Sequence, residues 1–292
     1  MKQLMRVSVN ALRHLRLLAL HLAVNGVIVV AAALWLLIPE QHWWQLLLTA
    51  LIAAAVFVAA VWLHAGTLAY FAASAPARGE PHAAAAPATA EAAVAEASAA
   101  HPEADFRTAL WRGLRNAPPF VVAVVVMVLL MYYAGGWSER MWQISGYVYA
   151  KLPIIHGIIG PTGTYNFGIF IVNLLFWYLI PAVLLPFAAG AAAHGFSSQA
   201  LSAGAHTLRR LAYWVWLGIL ELPGVLLPTL LLDWSPRGTL RLEMTSLFLR
   251  LGFAWLLAVA AWLMIAGMLG HLVASTEQPA RAAGEEPASS PL

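Results

Sequence analysis

Hydrophobic positions along this chain come in long unbroken runs, not in short alternating ones. Six runs approach the roughly 20 apolar residues that a helix needs to cross the hydrocarbon core of a bilayer. They cover about Leu17–Ile38, Leu46–Phe71, Pro118–Ala134, Gly168–Ala192, Leu211–Leu232 and Ser246–Val273. A transmembrane barrel would instead read as segments of ~10 residues with alternating polarity. The pattern therefore predicts an all-α, polytopic integral membrane protein with six transmembrane helices. Lys2 and Arg6 precede the first run in the manner of a signal peptide. That run is longer than a signal core, and a second follows after a short turn, so residues 1–38 read as a retained helix.

Between and beside the runs the chain changes character. Residues 72–105 are Ala, Pro and Glu without an aromatic residue. Such a stretch buries too little apolar surface to order itself and reads as a flexible linker, with a short helix expected near Ala90–Ala99. The tail 275–292 reads the same way. Three segments ahead of spans one, three and five combine an apolar stripe with arginines. Leu4, Val7, Ala11 and Leu15 stand against Arg6 and Arg13; Phe106, Ala109, Leu110 and Leu114 against Arg107, Arg112 and Arg115; Leu201, Ala205 and Leu208 against His206 and Arg210. These predict basic amphipathic helices on the membrane surface, with Arg13, Arg16, Arg107, Arg112, Arg115, Arg209 and Arg210 facing anionic headgroups.

The domain organisation that follows is an N-terminal helix and hairpin over 1–71, the linker, a four-span part over 106–274, and the tail. Ala109–Arg115 (ALWRGLR), Ala203–Arg209 (AGAHTLR) and Ala11–Arg13 (ALR) echo one another, which suggests a repeated unit of basic helix plus transmembrane pair. On those phrases the arrangement broadly resembles bacterial six-helix membrane proteins with a basic helix before alternate spans. That resemblance is architectural and brings no catalytic residue.

Composition agrees with the runs. Hydrophobic residues make up 62% of the 292 residues and charged residues 10%, against roughly 25% charged in soluble domains. A soluble enzyme, a disordered chain and a nucleic-acid binder are excluded. There is no cysteine, hence no disulfide, thiolate metal site or catalytic thiol. Eleven of the lysines and arginines fall on the N-terminal side of six spans and five on the other. The positive-inside rule then puts both termini in the cytoplasm. Trp35, Trp43, Trp44, Trp137, Trp142 and Trp234 fit an outer aromatic belt, and Trp111 and Trp214 an inner one. A bacterial inner membrane suits the Ala-rich, cysteine-free composition. The outer segment 137–151 reads as an interfacial helix, and 152–168 as a tucked loop or a stretch dipping back into the protein.

Candidate chemistry is sparse. There is no nucleotide-binding loop, no GxSxG and no HExxH. Glu221 is the one acidic residue inside a span and lies near the midplane, where a charge costs at least ~2.5 kcal/mol. Arg250 and His64 are its expected partners. Pro223 and Pro228 follow it, and Pro181 and Pro186 repeat that spacing in span four; paired broken helices point to transporter sites. His21 and Asn25 share a helix face and predict an interhelical hydrogen bond. Asn173 is a further polar residue in span four. Convergence of His21 with His64, or His194 with His271, would suit a b-type haem or a metal, but no cofactor is the primary expectation. Ala188–Ala193 (AAGAAA) reads as a close-packing surface.

Three functions follow. The first is a non-enzymatic accessory, scaffold or assembly subunit that partners another membrane protein or a second copy of itself. The second is a small-solute or proton-coupled transporter using Glu221. The third is a haem- or metal-binding redox protein.

Overall fold

The computed structural model describes residues 2–38, 41–74, 104–152, 159–234 and 238–276. Most of the linker, the Ala90–Ala99 helix, most of the tail and the middle of 152–168 lie outside the described residues. All regular structure within them is helical, in the order α1 Lys2–Ala11, α2 Leu15–Leu36, α3 Trp43–Ala73, α4 Ala104–Arg115, α5 Ala117–Lys151 and α6 Pro161–Asn173. A π-helical turn π1, Leu174–Leu179, leads into α7 Ile180–His194, followed by α8 Ser198–Leu208 and α9 Leu211–Glu221. A second turn, π2, Leu222–Leu226, precedes α10 Leu227–Asp233, and α11 is Leu240–Ala274.

Five continuous helices are long and apolar enough to cross a membrane: Leu15–Trp35, Trp43–Ala73, Pro161–His194, Leu211–Asp233 and Leu240–Ala274. Ala117–Tyr133 joins them only together with Arg107–Arg115, from which it is bent by 63°. The helix ends follow local chemistry. Pro118 and Pro119 sit in the first turn of α5, where a missing N–H costs nothing. The Ser197 hydroxyl caps α8 by accepting from the Ala200 N–H at 3.2 Å. Gly195, at φ 66°, stops α7 in a conformation that L side chains avoid.

Two expectations are corrected. Residues 137–151 do not form a separate interfacial helix; they continue α5 to Lys151. From Pro161 onward the segment is already helical and opens the long apolar helix Pro161–His194. At both places aromatic and apolar residues are dense enough to keep the helix going, and Gly160 and Pro161 fall at the start of α6.

The span helices are not equivalent. In α11, 61% of the most apolar stretch is buried, against 11–12% in the other four. It packs against α3 and α7, which also touch each other, so the helices of the even-numbered apolar runs form the centre. Gly270 lets α11 approach the backbone of Phe71 and Ala72; a Cβ there would overlap both. The helices of the odd-numbered apolar runs lie outside: α2 against α3, α5 against α7, and π2–α10 against α11.

The repeat hinted at by ALWRGLR and AGAHTLR is structural. Each basic helix docks on the end of an even span: α4 on α3, α8 on α7, and α1 on α11, which closes the set. Positions 11, 113 and 207 correspond, as do 8, 110 and 204, and all six are buried. The next span begins four residues later in every unit, at Leu15, Ala117 and Leu211. The preceding residue ties that start to the end of the following even span each time. The Tyr70 hydroxyl and His14 Nδ1 share a hydrogen bond of 3.2 Å, Asn116 Nδ2 donates to the Ala192 carbonyl at 3.0 Å, and Arg210 to the Ser275 hydroxyl at 2.9 Å.

Candidate functional site

In each unit the odd span packs beside its own even span, and polar groups sit at these junctions. The first junction joins α2, α3 and α11. His21 is fully buried, and its Nε2 lies 2.8 Å from the Thr67 hydroxyl. Thr67 uses its own proton on the Leu63 carbonyl at 2.7 Å, so its oxygen must accept from His21. That assigns the Nε2–H tautomer and leaves Nδ1 as an acceptor for Asn25 Nδ2 at 3.4 Å. The expected interhelical hydrogen bond of His21 thus runs to Thr67. His64 lies beside this chain, its ring 5.5 Å from His21 and 5.0 Å, edge-on, from Trp262 of α11.

His21 and His64 therefore converge, as the haem or metal reading requires. Both nitrogens of His21 are engaged within the protein, however, which leaves neither for a metal. His194 and His271 end two different helices, where an imidazole also complements the carbonyl end of the helix dipole. Among the described residues no three His, Cys, Asp or Glu side chains gather in a metal-binding group.

The second junction, among α3, α5 and α7, holds a cavity with Phe57, Phe120, Met127, Leu184, His64 and Trp262 on its wall. The third junction brings α9 and π2 against α7 and α11. Pro186 has no N–H, so it cannot satisfy the carbonyl of Ala182 one turn back. The buried hydroxyl of Tyr213 does so instead, at 2.5 Å. Glu221, half-buried, ends α9 directly before π2. Tyr178, within π1, reaches the same region: its hydroxyl would lie 3.6 Å from a Cβ at Gly218.

The prolines do not break the helices. Around Pro181 and Pro223 the chain widens by one residue per turn. The Ile180 N–H bonds the Leu175 carbonyl, and the Leu227 N–H bonds the Leu222 carbonyl. Pro228 falls in the first turn after π2 and Pro186 inside α7. π-turns of this kind concentrate at functional sites.

Neither expected partner of Glu221 is in place. Arg250 donates to the carbonyls of Leu231 and Leu232 at 3.1 and 3.3 Å and lies over the Trp234 ring, so it caps the end of α10. His64 belongs to the first two junctions. No hydrogen-bond partner of the Glu221 carboxyl stands among the described residues. Asn173 is exposed on α6 and joins none of the junctions. Of the arginines assigned to headgroups, Arg13, Arg16, Arg107, Arg112, Arg115 and Arg209 are exposed, whereas Arg210 is half-buried and tied to Ser275. Ala188–Ala192 are buried, as a close-packing stretch should be, and Gly190 touches the backbone of Ala200.

Sequence reasoning missed Thr67, Trp262, Tyr213 and Tyr178. Thr67 carried a signal, one turn after His64 on the same helix face. The pairing of Tyr213 with the carbonyl freed by Pro186 carried none, because it depends on how two distant helices meet. The chain matches no family model, no curated protein and no solved structure.

Proposed function

We propose that this helical membrane protein is a non-enzymatic accessory or scaffold subunit of a membrane complex. In this reading it crosses a bacterial inner membrane six times with both termini in the cytoplasm. The exposed arginines of α1, α4 and α8 rest on anionic headgroups.

Glu221 carries the reading. A half-buried carboxyl group near the midplane, with no donor among the described residues, is costly in lipid. A neighbouring helix that supplies a donor removes the cost, and polar side chains of this kind join transmembrane helices. The alternative, proton-coupled transport, draws on the two π turns beside Tyr178 and Glu221.

Native mass spectrometry of the full chain released gently from its own membrane tests the proposal. The expected result is a second chain, of this or another protein, in fixed stoichiometry. Glu221→Leu should lose it and Glu221→Gln should keep it. A chain that is single and monodisperse, with Glu221→Leu unchanged, overturns the proposal. Proton uptake by liposomes that Glu221→Gln abolishes would establish the alternative instead.

A further inference from the structure

The cavity at the second junction has a volume of about 290 Å³, at the lower edge of the ~300–1,000 Å³ typical of small-molecule sites. Its wall is almost wholly apolar, and two of the side chains that form it, His64 and Trp262, meet edge to face, 5.0 Å between ring centroids. Neither His64 Nδ1 nor Trp262 Nε1 has a hydrogen-bond partner among the described residues. Two such groups side by side are unusual, because buried polar atoms are nearly always satisfied. A water there would have only these two partners, the fewest that a buried water keeps, and the rest of the apolar cavity stays dry. Phe57, also on the wall, is 41% exposed, so part of the cavity's lining faces out of the helix bundle.

We infer that this cavity binds a lipid-soluble molecule with an apolar body and a single carbonyl or hydroxyl oxygen, held at His64 and Trp262. The body replaces missing van der Waals contacts along Phe120, Met127 and Leu184. The oxygen satisfies an imidazole or indole nitrogen after a small rotation of the ring, a soft torsion for both side chains. His64 also touches His21, so the occupied cavity is linked to the His21–Thr67 hydrogen bond of the first junction.

A diazirine-bearing long-chain ketone, added to the purified full chain in detergent, tests the site when labelled residues are located by peptide mass spectrometry. Labelling should concentrate on Met127 and Leu184. 2-Undecanone should compete at least about fivefold better than undecane, the worth of one ordinary hydrogen bond. His64→Leu and Trp262→Phe should each shrink that preference while leaving undecane unchanged. Ala123→Phe, which adds bulk to the cavity wall from α5, should abolish labelling. Equal competition by ketone and alkane overturns the inference, as does labelling of the lipid-facing Val122 and Leu129 as strong as that of the cavity. Where Ala123→Phe fails to fold, the ketone preference in His64→Leu decides.

Discussion

At the scale of single residues, this protein satisfies some of its buried polar groups by pairing defects. Pro186 frees the Ala182 carbonyl and Tyr213 answers it; Thr67 spends its proton on Leu63 and therefore accepts from His21. In lipid, where no water competes, such pairs fix how helices meet. Intramembrane hydrogen bonds average only ~0.6 kcal/mol when the groups find other partners. The Ala182 carbonyl has none along its own helix, so Tyr213→Phe should cost more, about 1–3 kcal/mol. In a Pro186→Ala background residue 186 regains its N–H and takes over that carbonyl. The same Tyr213→Phe change should then fall to the ~0.6 kcal/mol level. Unfolding in mixed micelles of the four proteins in this cycle measures the difference. Equal costs in both backgrounds would show that Tyr213 acts through packing alone.

At the scale of elements, the docking of each basic helix rests on one contact in which bulk and gap change sides. Gly66 of α3 receives Leu110 of α4, whereas Gly204 of α8 receives Phe187 of α7, and a Cβ on any glycine at these contacts would overlap its neighbour. Gly113 presses on Gly66 itself, and Gly267 on Ala11. Overpacking of this kind typically costs about 1–3 kcal/mol. Gly113→Leu should therefore release α4, seen as faster amide exchange over Arg107–Arg115, while Gly26→Leu, with open space around it, should leave exchange unchanged. Gly66→Phe should release α4 as well, and adding Leu110→Gly should restore part of the protection by copying the α7–α8 contact. Failure of that second change to help would mean that the two contacts are not equivalent. The sequence carried much of this level. Spans were legible because apolar length is a strong signal. The shared phrase of α4 and α8 was legible because the arginine and the buried small residue recur together. The continuation of α5 through Gly135, Gly136 and Trp137 was not, because glycine lowers helix propensity by only about 1 kcal/mol and neighbouring residues outweighed it.

At the scale of the whole molecule, α1, α4 and α8 lie at one end of the helix bundle, because they dock on the mutually packed ends of α11, α3 and α7. That relation holds whichever way the protein is inserted, and periodicity alone does not reveal it. The midplane partner of Glu221 was equally illegible: residue spacing named Arg250, but Arg250 sits beyond the end of α10, where free carbonyls attract it more strongly than a distant carboxyl group. Orientation then reduces to charge. The docked ends carry Lys2, Arg6, Arg13, Arg16, Arg107, Arg112, Arg115, Arg209 and Arg210, while the opposite ends carry Arg140, Lys151, Arg241 and Arg250. The excess favours the cytoplasm for the docked side. Because the chain has no cysteine, single cysteines report this directly. Ser202→Cys and Arg107→Cys, both at exposed positions, should resist a membrane-impermeant maleimide in intact cells and react after lysis. Thr162→Cys and Arg241→Cys should react in intact cells. The reverse pattern would invert the protein, placing its basic collar outside, and agreement between Ser202→Cys and Thr162→Cys would mean that Pro161–His194 does not cross the membrane.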